Sequence, residues 1–102
     1  MYTHQVVIIR QDTTNDFYYN VNGTLTSPTY VDLANQAKAA GKMISEEMTI
    51  STDGLILERK VVWDNEQSFI DFLNQWLIYS PDYRTALQEY SRSVGHHAML
   101  VT

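Results

Sequence analysis

The chain has no cysteine, little glycine and proline, and no long apolar run. Its 102 residues include 4 glycines and 2 prolines. The lack of cysteine excludes disulfides, thiol catalysis and thiolate metal ligands. No apolar run approaches the ~20 residues that a membrane-spanning helix needs, so we expect no membrane partner. Each glycine falls at a predicted turn or helix end, which leaves none for a glycine-rich phosphate loop.

Positive charge is also scarce. Seven Lys and Arg residues stand against 12 Asp and Glu, which gives a net charge of −5. Binding to nucleic acid requires clustered Lys and Arg, so we expect no nucleic-acid partner. The residues Tyr2–Gln5 lack the basic and apolar pattern of a secretion signal. We therefore expect a protein that is cytoplasmic or virion-associated.

What the chain does contain is a clear succession of periodic segments. The apolar share of 44% and the charged share of 19% are typical of a globular protein, and we predict one domain over residues 1–102. The predicted elements are, in order, a strand over Gln5–Arg10, a helix over Ser27–Gly41, strands over Met43–Thr52 and Leu55–Trp63, two successive helices between Asp64 and Gly95, and a strand over His97–Thr102. This β-α-β-β-α-β order predicts an α+β, ferredoxin-like fold, in which helices cover one face of an antiparallel sheet.

Local signals define the ends of these elements. Ser27 is a predicted helix N-cap followed by proline at the first helical position. Asp64 is a predicted N-cap with Gln67 as its capping-box partner. Asp53-Gly54 predicts a type I′ turn between the two central strands, and Ser80-Pro81 predicts the end of one helix and the start of the next.

The segment from Phe17 to Thr26 allows two interpretations. Asn22-Gly23 is a strong hairpin signal, so Phe17–Val21 and Thr24–Thr26 form a small ribbon in one of them. In the other, the same residues form a long structured loop. The sequence leaves both open.

Alternation in the two central strands assigns side chains to faces. Ile44, Glu46, Met48 and Ile50 share one face of their strand, and Glu47 lies on the other. On the returning strand, the residues that share a face with Arg59 are Leu55, Leu57, Val61 and Trp63. One face of the sheet stays uncovered by helices and carries apolar residues, which predicts a homodimer formed through this open sheet face.

Glu46 and Glu47 are the weak candidates for a catalytic role. A partly buried glutamate with a raised pKa is a credible general base. The alternative is an ion pair with Arg59 or Lys60 on the facing strand, an arrangement common in antiparallel sheets, and we favour it. We assign no catalytic residue beyond these two candidates.

The histidines and aromatic residues are interpreted structurally. Adjacent residues of a strand point to opposite faces, so His96 and His97 do not chelate one ion together, and His4 lies at the other end of the paired strands. We interpret all three as strand-end surface histidines and expect no metal and no cofactor. Trp63, Phe69, Phe72 and Trp76 have the spacing of core residues.

Two stretches of the chain resemble a known family. Val61-Val62-Trp63-Asp64-Asn65-Glu66-Gln67 and Tyr79-Ser80-Pro81-Asp82-Tyr83 lie within a region, Lys60 to Leu87, that is similar to the dimeric α/β-barrel proteins typified by antibiotic-biosynthesis monooxygenases. The resemblance implies two ferredoxin-like subunits with their bare sheet faces together. The Val-x-Trp-Asp step also resembles short uncharacterised proteins of tailed phages.

The departures from this family separate three functional hypotheses. Family members that bind haem or handle oxygen commonly have a histidine on or after the second helix, and this chain has none between His4 and His96. The leading hypothesis is therefore a non-enzymatic, self-associating protein, with a phage-encoded accessory or structural role. The second is a cofactor-independent monooxygenase or isomerase acting on a small aromatic or polyketide-like substrate. The third is a sensor that binds a small apolar ligand without chemistry.

Overall fold

The structure, a computed structural model, describes residues 1–101 and shows a mixed α+β fold with a four-stranded antiparallel sheet. The strands are β1 (Tyr2–Ile9), β2 (Met43–Ile50), β3 (Ile56–Trp63) and β4 (His97–Leu100), and the helices are α1 (Tyr18–Asn22), α2 (Pro28–Ala39), α3 (Glu66–Tyr79) and α4 (Tyr83–Ser93). The strand order across the open sheet is β2-β3-β1-β4. All neighbouring strands are antiparallel.

One face of the sheet carries the core. The inward side chains of β3 are Leu57, Arg59, Val61 and Trp63, and all four are buried. All four helices contribute side chains to the two hydrophobic clusters on this face. The predicted set that shares a face with Arg59 is confirmed for these strand residues.

Strand β2 departs from simple alternation near its start. The register shifts between Met43 and Ser45, so that Ile44 is an extra residue in a β-bulge. Met43 is buried, whereas Ile44 is 53% exposed. Beyond the bulge, Glu46, Met48 and Ile50 share one face as predicted, whereas the bulge interrupts the alternation that assigned Ile44 to it.

The turn between β2 and β3 is also different from the prediction. Gly54 has φ +77°, but no other residue type in the described chain has a positive φ. A type I′ turn needs positive φ at both central residues, so Asp53-Gly54 does not form one. Ser51 closes a wider loop instead, accepting from the Gly54 N–H (2.8 Å) and donating its own N–H to the Ile56 carbonyl (2.9 Å).

The predicted start is correct for one helix and one or two residues too early for the other two. The Ser27 hydroxyl accepts from the Tyr30 N–H, as predicted. The N-cap of α3 is Asn65, whose side chain accepts from the Ser68 N–H (3.0 Å), and not Asp64. Helix α4 begins after Asp82 rather than at Ser80-Pro81.

The ribbon interpretation of Phe17–Thr26 is wrong. The segment forms α1 and then a 3₁₀ turn over Thr24–Thr26, and Gly23 (φ +65°) is the left-handed C-cap between them. Phe17, Tyr18 and Tyr19 are all buried. Three consecutive buried residues are incompatible with a half-exposed ribbon, since alternate residues of such a strand would face solvent.

The second sheet face is free of helices. Its apolar residues are Val7, Ile9, Ile56, Val62 and Met99, as the strand register places them. Ile9 and Ile56 are 38% and 41% exposed. None of the helices within residues 1–101 is long and apolar enough to cross a bilayer.

Candidate functional site

A cavity of about 320 Å³ lies between the helices and the core face of the sheet. Protein interiors are close-packed and rarely keep voids much larger than a water molecule, whereas ligand pockets begin at roughly 300 Å³. The aromatic residues in its wall are Tyr19, Tyr30, Trp63, Phe69, Phe72, Trp76 and Tyr83. The aromatic residues predicted as core are therefore core residues that also line an unfilled space.

The mouth of the cavity lies between α4 and β4. Most of the lining residues are buried or half-buried, but Arg84 and Gln88 on α4 and Leu100 on β4 are exposed. Arg84 and Gln88 are four residues apart, so they share one side of the helix. A molecule entering the cavity would pass between these side chains.

Arg59 is the principal polar group in the wall. Its side chain is 8% exposed, and its Nη2 donates to the Glu46 carboxylate (2.9 Å) and to the Tyr30 hydroxyl. Lys38 approaches the same carboxylate from α2 (3.2 Å). Burial opposes the Arg59 charge, but Tyr30 and the other surrounding groups outweigh it and raise the pKa of Arg59.

Several buried donors of the wall have no partner among the described residues. They are the Arg59 Nε and the indole nitrogens of Trp63 and Trp76. An unpartnered buried polar group costs about 1–3 kcal/mol. The wall therefore contains three buried N–H donors whose hydrogen-bonding capacity is not used by the described residues.

Tyr30 and Tyr83, two tyrosines of the wall, are held neutral. Burial is the largest cause that raises the pKa of Tyr30, and it also raises the pKa of Tyr83, where Tyr19 adds to the effect. The Tyr30 ring stands edge-on to Trp76, with 5.3 Å between centroids. These hydroxyls can donate or accept a hydrogen bond, but they do not ionise near neutral pH.

His4, on β1, also forms part of the wall. Its ring stacks on Phe69 with 4.4 Å between centroids. Burial, followed by the charges of Arg59 and Arg84, lowers the pKa of His4 to about 4. The imidazole is therefore neutral at pH 7, and the prediction of a surface histidine is wrong for His4.

The other two histidines are separated as predicted, but only one lies on the surface. His96 is buried, its ring 5.7 Å from that of Phe17, and burial lowers its pKa. His97 is exposed. The prediction fails at His96 because the segment before α1 folds over this strand end. No group of three or more metal-ligating side chains occurs in residues 1–101.

The two candidate glutamates lie outside the cavity wall. Glu46 is on the core face and makes the cross-strand ion pair with Arg59, so the favoured pairing is confirmed there. Glu47 is exposed, opposite Lys60 in the strand register. No sequence pattern predicted that Tyr30 and His4 line the cavity. Arg59 did leave a signal, since it is the one charge in an otherwise apolar strand face.

The titration of His4 predicts a loss of stability in acid. Its folded pKa lies below the unfolded value of 6.5, so the unfolded chain binds the proton first as the pH falls from about 6.5 to 4. We expect a loss of about 1–2 kcal/mol over this range, after allowance for solvent screening of a half-buried group. Urea unfolding at pH 7 and pH 4.5 measures it.

The His4→Phe variant is the control, because it keeps the stack on Phe69 and does not titrate. The decrease in unfolding free energy between pH 7 and pH 4.5 should be smaller in this variant by about 1–2 kcal/mol. An equal acid loss in both proteins would contradict the assignment to His4.

Comparison with known proteins adds no relative. No protein-family model, no curated protein and no solved structure matches this chain.

Proposed function

We propose that this protein is a non-enzymatic binding module, which holds one small and largely apolar molecule in the cavity and associates with a second copy of itself. The observation that carries the proposal is the aromatic-walled space of about 320 Å³ beneath the helices. Natural cores close such spaces. A concave, mostly apolar pocket with a few polar groups is the usual form of a small-molecule site.

The protonation of the wall supports binding rather than catalysis. A general acid or base works best with a pKa close to the working pH. The pKa of His4 lies well below neutral pH, and burial raises the pKa of Tyr30 and of Tyr83 above the ordinary tyrosine value. Glu46 lies outside the wall and is paired with the cations Arg59 and Lys38. The cofactor-independent monooxygenase or isomerase, our second hypothesis, would lack its acid–base group.

The binding test uses a rigid probe in two charge forms. We expect 2-naphthoate or its neutral amide, 2-naphthamide, to bind with one site per chain in calorimetry. The emission of the tryptophans should change as well, since both Trp63 and Trp76 line the cavity and the chain has 2 in all. If neither form binds at millimolar concentration, the proposal is wrong.

A cavity-filling variant shows where the probe binds. Ala98 lines the cavity on β4, so Ala98→Phe should abolish binding. Ala39→Phe makes the same change at an exposed position of α2, and binding should persist. Binding that survives in Ala98→Phe would place the probe elsewhere and contradict the proposal.

Self-association is proposed through the uncovered sheet face. Val7 and Met99 are cross-strand neighbours there, as are Ile9 and Ile56, and Val62 lies further along the same face, opposite Thr3. Lys60 and Glu47 occupy paired positions on the same face, so a two-fold related copy offers apolar area and charges of both signs to its twin. This complementarity supports a second copy as the occupant.

Sedimentation at micromolar concentration tests the dimer. We expect a dimer for the natural chain, a monomer for Val62→Glu on the uncovered face, and a dimer for Ile78→Glu, whose position on α3 is 76% exposed. A monomeric natural chain would refute self-association without affecting the binding proposal.

We also propose that the fold is ferredoxin-like and that the protein is related to the dimeric α/β barrels. The strand order reads β4-β1-β3-β2 from the other edge, with antiparallel neighbours throughout. This order and the helices on one face support the ferredoxin-like arrangement. The phage-encoded accessory role rests on the sequence likeness alone.

A further inference from the structure

We propose that the cavity selects an organic anion, a compact molecule with an apolar and preferably aromatic body and one carboxylate-like group. This inference rests on the proposed binding function and specifies its ligand. It follows from the distribution of charge around the cavity, from the hydrogen bonds of Arg59, and from the shape of the wall.

The charges of the chain are segregated at the cavity. Acidic residues outnumber basic ones by 12 to 7 over the whole sequence. Among the described residues that line the cavity, however, the charged side chains are Arg59 and Arg84, and no Asp or Glu is present. Glu46 offsets part of the Arg59 charge from outside the wall, but both ionised side chains that reach the cavity are cations, which favours a negatively charged ligand and disfavours a cationic one.

Arg59 has donors to offer inside the wall. Both of its hydrogen bonds leave from Nη2, towards Glu46 and Tyr30. A guanidinium carries more N–H donors than these two bonds use. The Nε lacks a partner among the described residues but is itself buried from solvent, so the remaining donors are those of the terminal amino groups. Arginine is also the side chain best suited to a carboxylate, because its planar donors match the two oxygens.

The environment of His4 agrees with a positive field in the cavity. Arg59 and Arg84 both act against protonation of His4, in addition to burial. Neutral His4 therefore adds no charge of its own, and its stacked position beside Phe69 keeps it in the wall.

The wall offers different groups to the two parts of such a molecule. Phe72 and Trp76 stand edge-on to the Tyr30 ring, and Trp63 packs on Phe72. Arg84 lies exposed at the mouth, where a cation attracts an incoming anion. We infer that the apolar body packs among the aromatic rings, while the anionic group lies towards Arg59 and is drawn in past Arg84.

The experiment compares 2-naphthoate with 2-naphthamide by calorimetry at pH 7.5. The two probes have the same ring system and differ in charge. We expect the carboxylate to bind at least about tenfold more tightly, as for a hydrogen bond to a charged group. Equal affinities, or tighter binding of the amide, would overturn the anion selectivity while leaving the binding function intact. Failure of both probes would instead overturn the binding function.

Matched variants assign the selectivity to the two arginines. Arg84→Gln should reduce the preference for the carboxylate about threefold or more, whereas Arg92→Gln, at an exposed position of the same helix outside the cavity wall, should leave it unchanged. The double variant Arg59→Met with Glu46→Gln removes the buried cation without leaving Glu46 charged and unpaired.

The double variant should bind both probes with similar affinity. Near-UV circular dichroism confirms that it is folded, and continued binding of 2-naphthamide confirms that the cavity is intact. If the preference for 2-naphthoate survives undiminished in Arg84→Gln and in the double variant, the assignment to these arginines is wrong. If the double variant does not fold, the result for Arg84→Gln against Arg92→Gln decides the question.

Discussion

The Phe17→Ala variant is expected to lose about 3–5 kcal/mol of unfolding free energy. Phe17 is fully buried and belongs to the cluster that contains Ile8 of β1 and Leu57 of β3. The Arg10 guanidinium also lies 4.1 Å from its ring centroid. Because small domains are stable by only about 5–15 kcal/mol, this loss is large. Urea unfolding followed by circular dichroism measures it.

Val21→Ala is the matched control for Phe17→Ala. Val21 lies four residues further along, in α1, and is 57% exposed. We expect its replacement to change the unfolding free energy by less than about 0.5 kcal/mol. Similar losses in both variants would contradict the packing of this segment against the sheet.

The Glu46→Ala variant is expected to lose about 2–3 kcal/mol. Removing one partner of a buried ion pair leaves an uncompensated buried charge, which costs up to about 3–5 kcal/mol. Here Arg59 is 8% exposed and Glu46 is 26% exposed in their side chains, so we place the loss just below that range. The variant also removes the acceptor of the Lys38 ammonium. Denaturant unfolding at pH 7 gives the value.

Glu47 supplies the control for Glu46, because it has the same chemistry one residue away. Its side chain is exposed on the other face, so Glu47→Ala should cost less than about 0.5 kcal/mol. Adding Arg59→Met to Glu46→Ala should recover part of the loss, since no buried charge remains without a partner. Equal effects of the two alanine variants would show that the ion pair contributes nothing.

Elements with strong local periodicity were predictable. The apolar stripe of α3 and the alternation of β3 place Phe72, Trp76, Leu57 and Val61 in the core, and they are buried. The Ser27 cap was also predictable, because it depends on residues within one turn of the chain. Strand ends and the caps at Asp64 and Ser80 were less so, since adjacent polar residues compete for the same position.

The errors concern residues whose environment is set by distant parts of the chain. Asn22-Gly23 suits a hairpin turn and a helix C-cap equally well, and burial of Phe17 against β1 and β3 selects the helix. His96 lies next to a strand end, where a histidine is commonly exposed, yet it packs against Phe17 and Tyr90. No local pattern encodes these contacts.

The candidate site was predictable only in part. Alternation placed Arg59 on the apolar face of β3, and cross-strand geometry favoured its pair with Glu46. The contribution of His4 depends on its stack with Phe69, which is 65 positions away in the chain. A cavity has no sequence signal, since it is the volume that helices and sheet fail to fill when they pack.

Periodicity, turn residues and caps are short-range properties, so the amino-acid order alone was enough to establish the four strands, the three longer helices and their apolar sides, but not the short helix and 3₁₀ turn within residues 17–26. The route of residues 10–26 over the sheet, the neutral state of His4 and the cationic wall of the cavity arise from contacts between segments far apart in the chain. They depend on how the layers pack, because burial and electrostatic potential are properties of the assembled fold.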